Sequence, residues 1–105
     1  MSMSKEQYFE FFAERSAKKL TLTKAKNDDY SAGEDPFANF TRVEAMGICT
    51  TEQGFLVRMT DKMSRISSFV ERGELSVKDE SVDDTLMDLS IYADLLAGYL
   101  RSKKQ

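Results

Sequence analysis

The chain has no histidine, one cysteine (Cys49) and one proline (Pro36) among its 105 residues. Without histidine, Cys/His zinc sites, Ser-His-Asp triads and imidazole acid–base chemistry are excluded, which removes a large share of enzyme classes. A single thiol cannot close a disulfide within the chain, and it fits a reducing, cytoplasmic location. No run approaches the length of about 18 apolar residues needed to cross a bilayer. Met1 to Glu6 contain no apolar h-region, so no signal peptide is expected. A basic surplus is missing too. The formal charge of −3 argues against direct binding of duplex DNA or of an acidic membrane, while leaving room for a local basic pocket.

What remains is 41% hydrophobic and 31% charged residues, the composition of amphipathic helices with solvated outer faces. The length suits one domain, residues 1–105. No internal repeat or low-complexity segment interrupts it. The patterning predicts an all-α domain of three main helices and a short one.

Ser4 and Gln7 are spaced as a capping box for a first helix from about Lys5 to Leu20, fraying through Thr21 to Thr23 or continuing towards Lys26. Its stripe is Phe9, Phe12, Ala13 and Leu20, widened by Tyr8 and Phe11. Asn27 to Pro36 carries the turn formers of a loop. Phe37 and Phe40 bracket a short helix, Ala38 to Met46, ended by Gly47. Thr50 and Gln53 open a long helix that Gly73 closes near Arg72, with Leu56, Met59, Met63, Ile66 and Val70 as its core stripe. An extended linker, Glu74 to Lys78, leads to a last helix starting near Asp79 or Ser81 and running to about Arg101. Its core stripe is Val82, Leu86, Leu89, Ala93, Leu96 and Leu100.

Two charged stripes stand out. Glu80, Asp84 and Asp88 fall within about 80° on the last helix, and Ile91 and Leu95 continue that strip, bordered by Tyr92 and Tyr99. An acidic row running into an apolar row calls for cover, from another helix or a partner chain. Asp83 and Asp94 are expected on the most exposed face. On the third helix, Arg58, Lys62 and Arg65 fall within about 60° beside the core stripe, with Asp61 just beyond. Antiparallel pairing would bring the stripes to one cleft, as a site or simply as interhelical ion pairs.

Four segments carry a family resemblance: Lys26-Asn27-Asp28-Asp29-Tyr30, Phe37-Ala38-Asn39-Phe40, Arg58-Met59-Thr60-Asp61-Lys62-Met63-Ser64-Arg65, and the run Val77 to Ala93 with its DES-x-x-DTL-x-DL-x-x-YA pattern. Over residues 24–96 they resemble the phage and prophage family called nucleotide modification associated domain 1. Ser90 departs from the asparagine usual there. That family is in turn similar to the all-α MazG and dimeric dUTPase pyrophosphohydrolases, which hold Mg²⁺ with two acidic pairs on successive helices. Glu80 and Asp83 match the second pair, and Asp84 and Asp88 offer an alternative. The first pair is replaced by Arg58, Asp61, Lys62 and Arg65.

The resemblance implies a MazG-like bundle completed by homo-oligomerisation and a nucleotide-binding phage protein. Its role would lie in nucleotide metabolism, DNA-base modification or sequestration of a nucleotide immune signal, an anti-defence activity. Lys26, Asp29, Tyr30, Asn39, Arg58, Lys62, Arg65 and Tyr92 are the candidate ligand residues, with cations for phosphate and Tyr30 or Phe37 for a base. The alternative for Tyr30, Phe37 and Phe40 is that they pin the loop to the core. As a Mg²⁺-dependent pyrophosphohydrolase, the chain would use Glu80, Asp84 and Asp88, with Asp61 as a weaker ligand. A third reading is a non-catalytic interaction protein whose stripes form an oligomer interface. Cys49 precedes a helix N-terminus, but without histidine it reads as a packed residue.

Overall fold

Reciprocal caps start three of the four helices, each at the residue that the capping-box pattern marks. Ser4 Oγ accepts from the Gln7 amide and Gln7 Oε1 from the Ser4 amide, at 3.1 and 2.8 Å, opening α1, Lys5–Tyr30. Thr50 and Gln53 repeat the arrangement at α3, Thr51–Arg72, and Ser81 and Asp84 at α4, Val82–Ser102. The short α2, Ala38–Ala45, has no side-chain cap of its own. Asp35 tightens the turn before it, accepting the Phe37 amide at 2.9 Å. Gly47 and Gly73 follow α2 and α3 with φ of 76° and 80°, the left-handed conformation that glycine adopts without a Cβ penalty. The computed structural model describes residues 2–30, 34–73 and 81–104, without the side chains of residues 28–30. The expected linker Glu74 to Lys78 lies outside them.

The first helix is longer than its sequence pattern predicts, reaching Tyr30 and absorbing the start of the expected loop. Threonines and Asn27 weaken helix propensity there only slightly. Leu22, Thr23, Lys26 and Asn27 are half-buried, so tertiary packing outweighs the local preference.

The core is aromatic and small. Helices α3 and α4 run antiparallel, with Glu52 bonded to Lys103 at one end and Lys62 to Asp88 further along. Phe55 of α3 is fully buried. Its ring stacks on Phe40 of α2 at 4.2 Å between centroids and 11° between planes. Tyr92 meets Phe40 edge-on, and Tyr99 lies against Phe55 and Phe37. Gly54 lets α2 approach: a Cβ there would stand 3.0 Å from the Val43 methyl. Among the described residues, the buried hydrophobic side chains are Phe40, Phe55, Met87 and Ile91.

The expected core stripes are therefore corrected. Leu56, Met63 and Val70 of α3 and Leu86, Ala93 and Leu100 of α4 are exposed. Met59, Ile66, Val82, Leu89 and Leu96 are half-buried. The first-helix stripe is also bare, because the N-terminal part of α1 extends away from the other helices: Tyr8, Phe9, Phe11, Phe12, Ala13 and Leu20 are exposed. The radius of gyration reflects this shape, 15.9 Å against about 13 Å for a compact globule of this length.

Two buried threonines make a paired prediction. Thr51 Oγ1 has no hydrogen-bond partner among the described residues, whereas Thr85 Oγ1 donates to the Ser81 carbonyl at 3.3 Å. A buried hydroxyl without a partner carries its desolvation cost uncompensated. In urea melts, Thr51→Val is expected to stabilise by about 1 kcal/mol and Thr85→Val to destabilise by about the same amount.

Candidate functional site

Asp88 sits where three helices converge. From α4 its carboxylate takes Lys62 of α3 on Oδ2, at 3.1 Å, and Lys26 of α1 on Oδ1. Lys62 is the most enclosed of the three, with 13% of its side chain exposed. Its long stem packs between the helices and delivers the ammonium to the seam. Burial by itself would raise the Asp88 pKa. Hydrogen bonds and charge from Lys26 and Lys62 outweigh it and hold the carboxyl below its ordinary value. Two cations thus share one carboxylate.

Beside the triad, the last turns of α1 and the middle of α4 enclose a cleft of about 420 Å³, walled by Ile91, Leu95, Pro36 and Phe37, with Thr23, Asn27 and Asp94 at its polar edges. That volume lies within the range of small-molecule sites, roughly 300–1,000 Å³. A smaller recess continues inwards from the same wall to Lys26, Asp88, Phe40 and Tyr92. The cleft keeps its shape because Asn27 Nδ2 donates to the Pro36 carbonyl at 3.3 Å and Phe37 rests edge-on against Tyr99. On the other side of Lys26 and Lys62 lies a groove of about 320 Å³ bordered by Leu22, Asp84 and Met87. Lys26 thus borders both the recess and this groove, while Lys62 borders the groove alone.

No family model, curated protein or solved structure matches the chain.

Of the candidate ligand residues, Lys26, Lys62 and Tyr92 come together around Asp88. Three others are placed elsewhere. The Arg58 guanidinium lies 5.2 Å from the centre of the Phe40 ring, Arg65 pairs with Asp61 within its own helix at 3.4 Å, and Asn39 accepts from Arg42 at 3.5 Å rather than lining the cleft. The side chains of Asp29 and Tyr30 lie outside the described residues, as does Glu80.

The described metal candidates already have other partners. Asp88 holds two ammonium groups, Asp84 caps α4, and Asp61 faces Arg65. Among the described residues no group of three acidic, cysteine or histidine side chains is placed to hold a metal ion. Mg²⁺ needs several oxygen ligands at near-octahedral positions, and the described carboxylates do not supply them.

Thr23, Asn27 and Pro36 are cleft residues that sequence reasoning missed. Thr23 and Asn27 are spaced i, i+4 and share a helix face, but that signal is visible only once α1 is known to continue to Tyr30. Asp83 and Asp94 are exposed, as expected, yet both are used: Arg15 bonds Asp83 at 2.8 Å and Lys19 bonds Asp94 at 2.7 Å, docking α1 on α4. Among the described residues no helix is long and apolar enough to cross a membrane.

Proposed function

We propose that the cleft between α1 and α4 binds a nucleotide or nucleotide-like small molecule, as a binding protein rather than a metal-dependent hydrolase. The observation that carries this reading is an apolar cleft beside the seam where Lys26 and Lys62 share Asp88. Leu95, Pro36 and Phe37, backed by the buried Ile91, offer a surface for a flat heterocycle. Thr23 and Asn27 offer hydroxyl and amide groups for its edge or for a sugar. Lys26, which lines the small recess behind that wall, shares Asp88 with Lys62. A phosphate approaching the triad gains ammonium contacts, while Asp88 orients both lysines in its absence. The resemblance to phage nucleotide-modification proteins points the same way, towards nucleotide metabolism, base modification or sequestration of a nucleotide signal.

Metal-dependent pyrophosphohydrolysis is less well supported, since the described carboxylates are committed to lysine, arginine and helix-cap contacts. Titration calorimetry with ribo- and deoxynucleoside mono- and triphosphates and with cyclic dinucleotides is the test. At least one ligand class is expected to bind, and Lys26→Met is expected to weaken it at least tenfold while Arg101→Met leaves it unchanged. Silence across the panel would falsify the proposal.

A further inference from the structure

We infer that α1 is an electrostatic latch. It docks on α4 through charged bonds rather than through a shared apolar core, and it leaves the other three helices as a unit when those bonds are screened, opening the cleft.

Burial separates α1 from the rest. The buried hydrophobic side chains Phe40, Phe55, Met87 and Ile91 belong to α2, α3 and α4. None of the described side chains of α1 is buried, and those that are half-buried are Arg15, Lys19, Leu22, Thr23, Lys26 and Asn27. At 100° per residue they occupy about 140° of the helix, a single face. Leu22 is its one apolar member. A helix normally docks by turning its apolar stripe inwards, whereas α1 turns cations, a hydroxyl and an amide inwards and leaves Phe9, Phe12 and Leu20 in water.

Each of the three inward cations has an acceptor on α4. Arg15 Nη1 donates to Asp83 Oδ1 at 2.8 Å, and its Nη2 to the Asp83 carbonyl at 3.3 Å. Lys19 Nζ donates to Asp94 Oδ2 at 2.7 Å and to Ser90 Oγ at 2.9 Å. Lys26 bonds Asp88. The Asp83 and Asp94 side chains are 55% and 66% exposed, so water and salt reach these bonds. Ion pairs of that kind are individually weak, and the screening length falls from about 10 Å at 0.1 M salt to about 3 Å at 1 M. The Phe40–Phe55 stack that joins α2 to α3 has no charge to screen. Docking of α1 is therefore the low-stability, salt-sensitive step of the fold, and local opening is expected there first.

Opening matters because α1 is one wall of the cleft. Thr23, Lys24 and Asn27 come from α1, and Ile91, Asp94 and Leu95 face them from α4. At its C-terminal end α1 stays tied, with Asn27 Nδ2 donating to the Pro36 carbonyl, so the free N-terminal arm is the end that moves. The meaning of this motion for ligand entry rests on the binding role proposed above; the motion itself does not.

Hydrogen exchange on the full chain at 0.1 and 1 M NaCl tests the latch. Amides of residues 15–27 are expected to exchange at least fivefold faster at the higher salt, and those of residues 55–66 and 85–96 to change less than twofold. Arg15→Glu should speed exchange of α1 at least threefold at low salt, and the swap Arg15→Glu with Asp83→Arg should restore it to within twofold of wild type. Salt-independent exchange of α1, equal loosening of all helices, or a swap no better than the single change would each overturn the inference. For the cleft, Leu95→Cys in a Cys49→Ser background is labelled with N-ethylmaleimide, relative to a free thiol. Labelling at least fivefold faster in 1 M NaCl is expected, and an unchanged rate refutes opening of the cleft. If Leu95→Cys does not fold, wild-type exchange decides. Neither measurement uses a nucleotide, so both stand or fall apart from the calorimetric panel.

Discussion

Phe55→Ala is expected to destabilise the chain by about 3–5 kcal/mol, the range for truncating a buried phenylalanine. The ring has no exposed surface and bridges three elements, stacking on Phe40 of α2 and lying against Tyr99 of α4 from its place on α3. Few other side chains share its burden, since the described hydrophobic core has only four buried members. The resulting cavity is therefore hard to fill by relaxation. Domains have about 5–15 kcal/mol in total, so much of the available stability disappears with one side chain. Val57, two residues along and 68% exposed, provides the control: Val57→Ala should change stability by less than about 0.5 kcal/mol. Urea denaturation of both variants checks the contrast. Equal effects would mean that the aromatic stack is not the centre of the fold.

Asp88→Asn is expected to cost about 1–3 kcal/mol and to change how stability depends on pH. Removing one partner of an enclosed pair leaves the other charge uncompensated, at about 3–5 kcal/mol when burial is complete. Here Lys26 and Asp88 keep 34% and 21% side-chain exposure, so solvent screens part of the loss. The sign of the pH effect follows from the lowered Asp88 pKa, which burial opposes and the two lysines bring about. The folded protein holds the carboxylate more strongly than the unfolded chain does. Its contribution is thus complete above the unfolded Asp value, near 3.9, and is lost as pH falls through the lower folded value. Wild-type stability should drop in that acid range, and Asp88→Asn should flatten the drop. Urea midpoints between about pH 2 and 6 measure it; parallel wild-type and variant curves would remove Asp88 from the account.

The helices and their caps were legible in the sequence because their causes are local. Ser4 with Gln7, Thr50 with Gln53 and Ser81 with Asp84 bond groups three residues apart, and Gly73 ends α3 by a conformation open to glycine. The Lys62–Asp88 bond was also accessible, since helical periodicity puts the basic and acidic rows on facing flanks once α3 and α4 run antiparallel. Arg58 and Arg65 were not so readable. Arg58 lies over Phe40 and Arg65 bonds Asp61, and periodicity does not rank such contacts against a shared cleft.

Sequence by itself determined the all-α class, the three capped starts and the existence of apolar stripes at helical spacing. Only tertiary structure decided which stripe is enclosed. On α3 both Phe55 and Leu56 begin apolar rows, and neither hydrophobicity nor spacing separates them. Phe40 of α2 stacks on Phe55 and leaves Leu56 open. Likewise α1 outlasts its local signals because Lys26 and Asn27 find distant partners in Asp88 and Pro36. Burial belongs to pairs of elements, and a single helix carries no record of which neighbour will cover it.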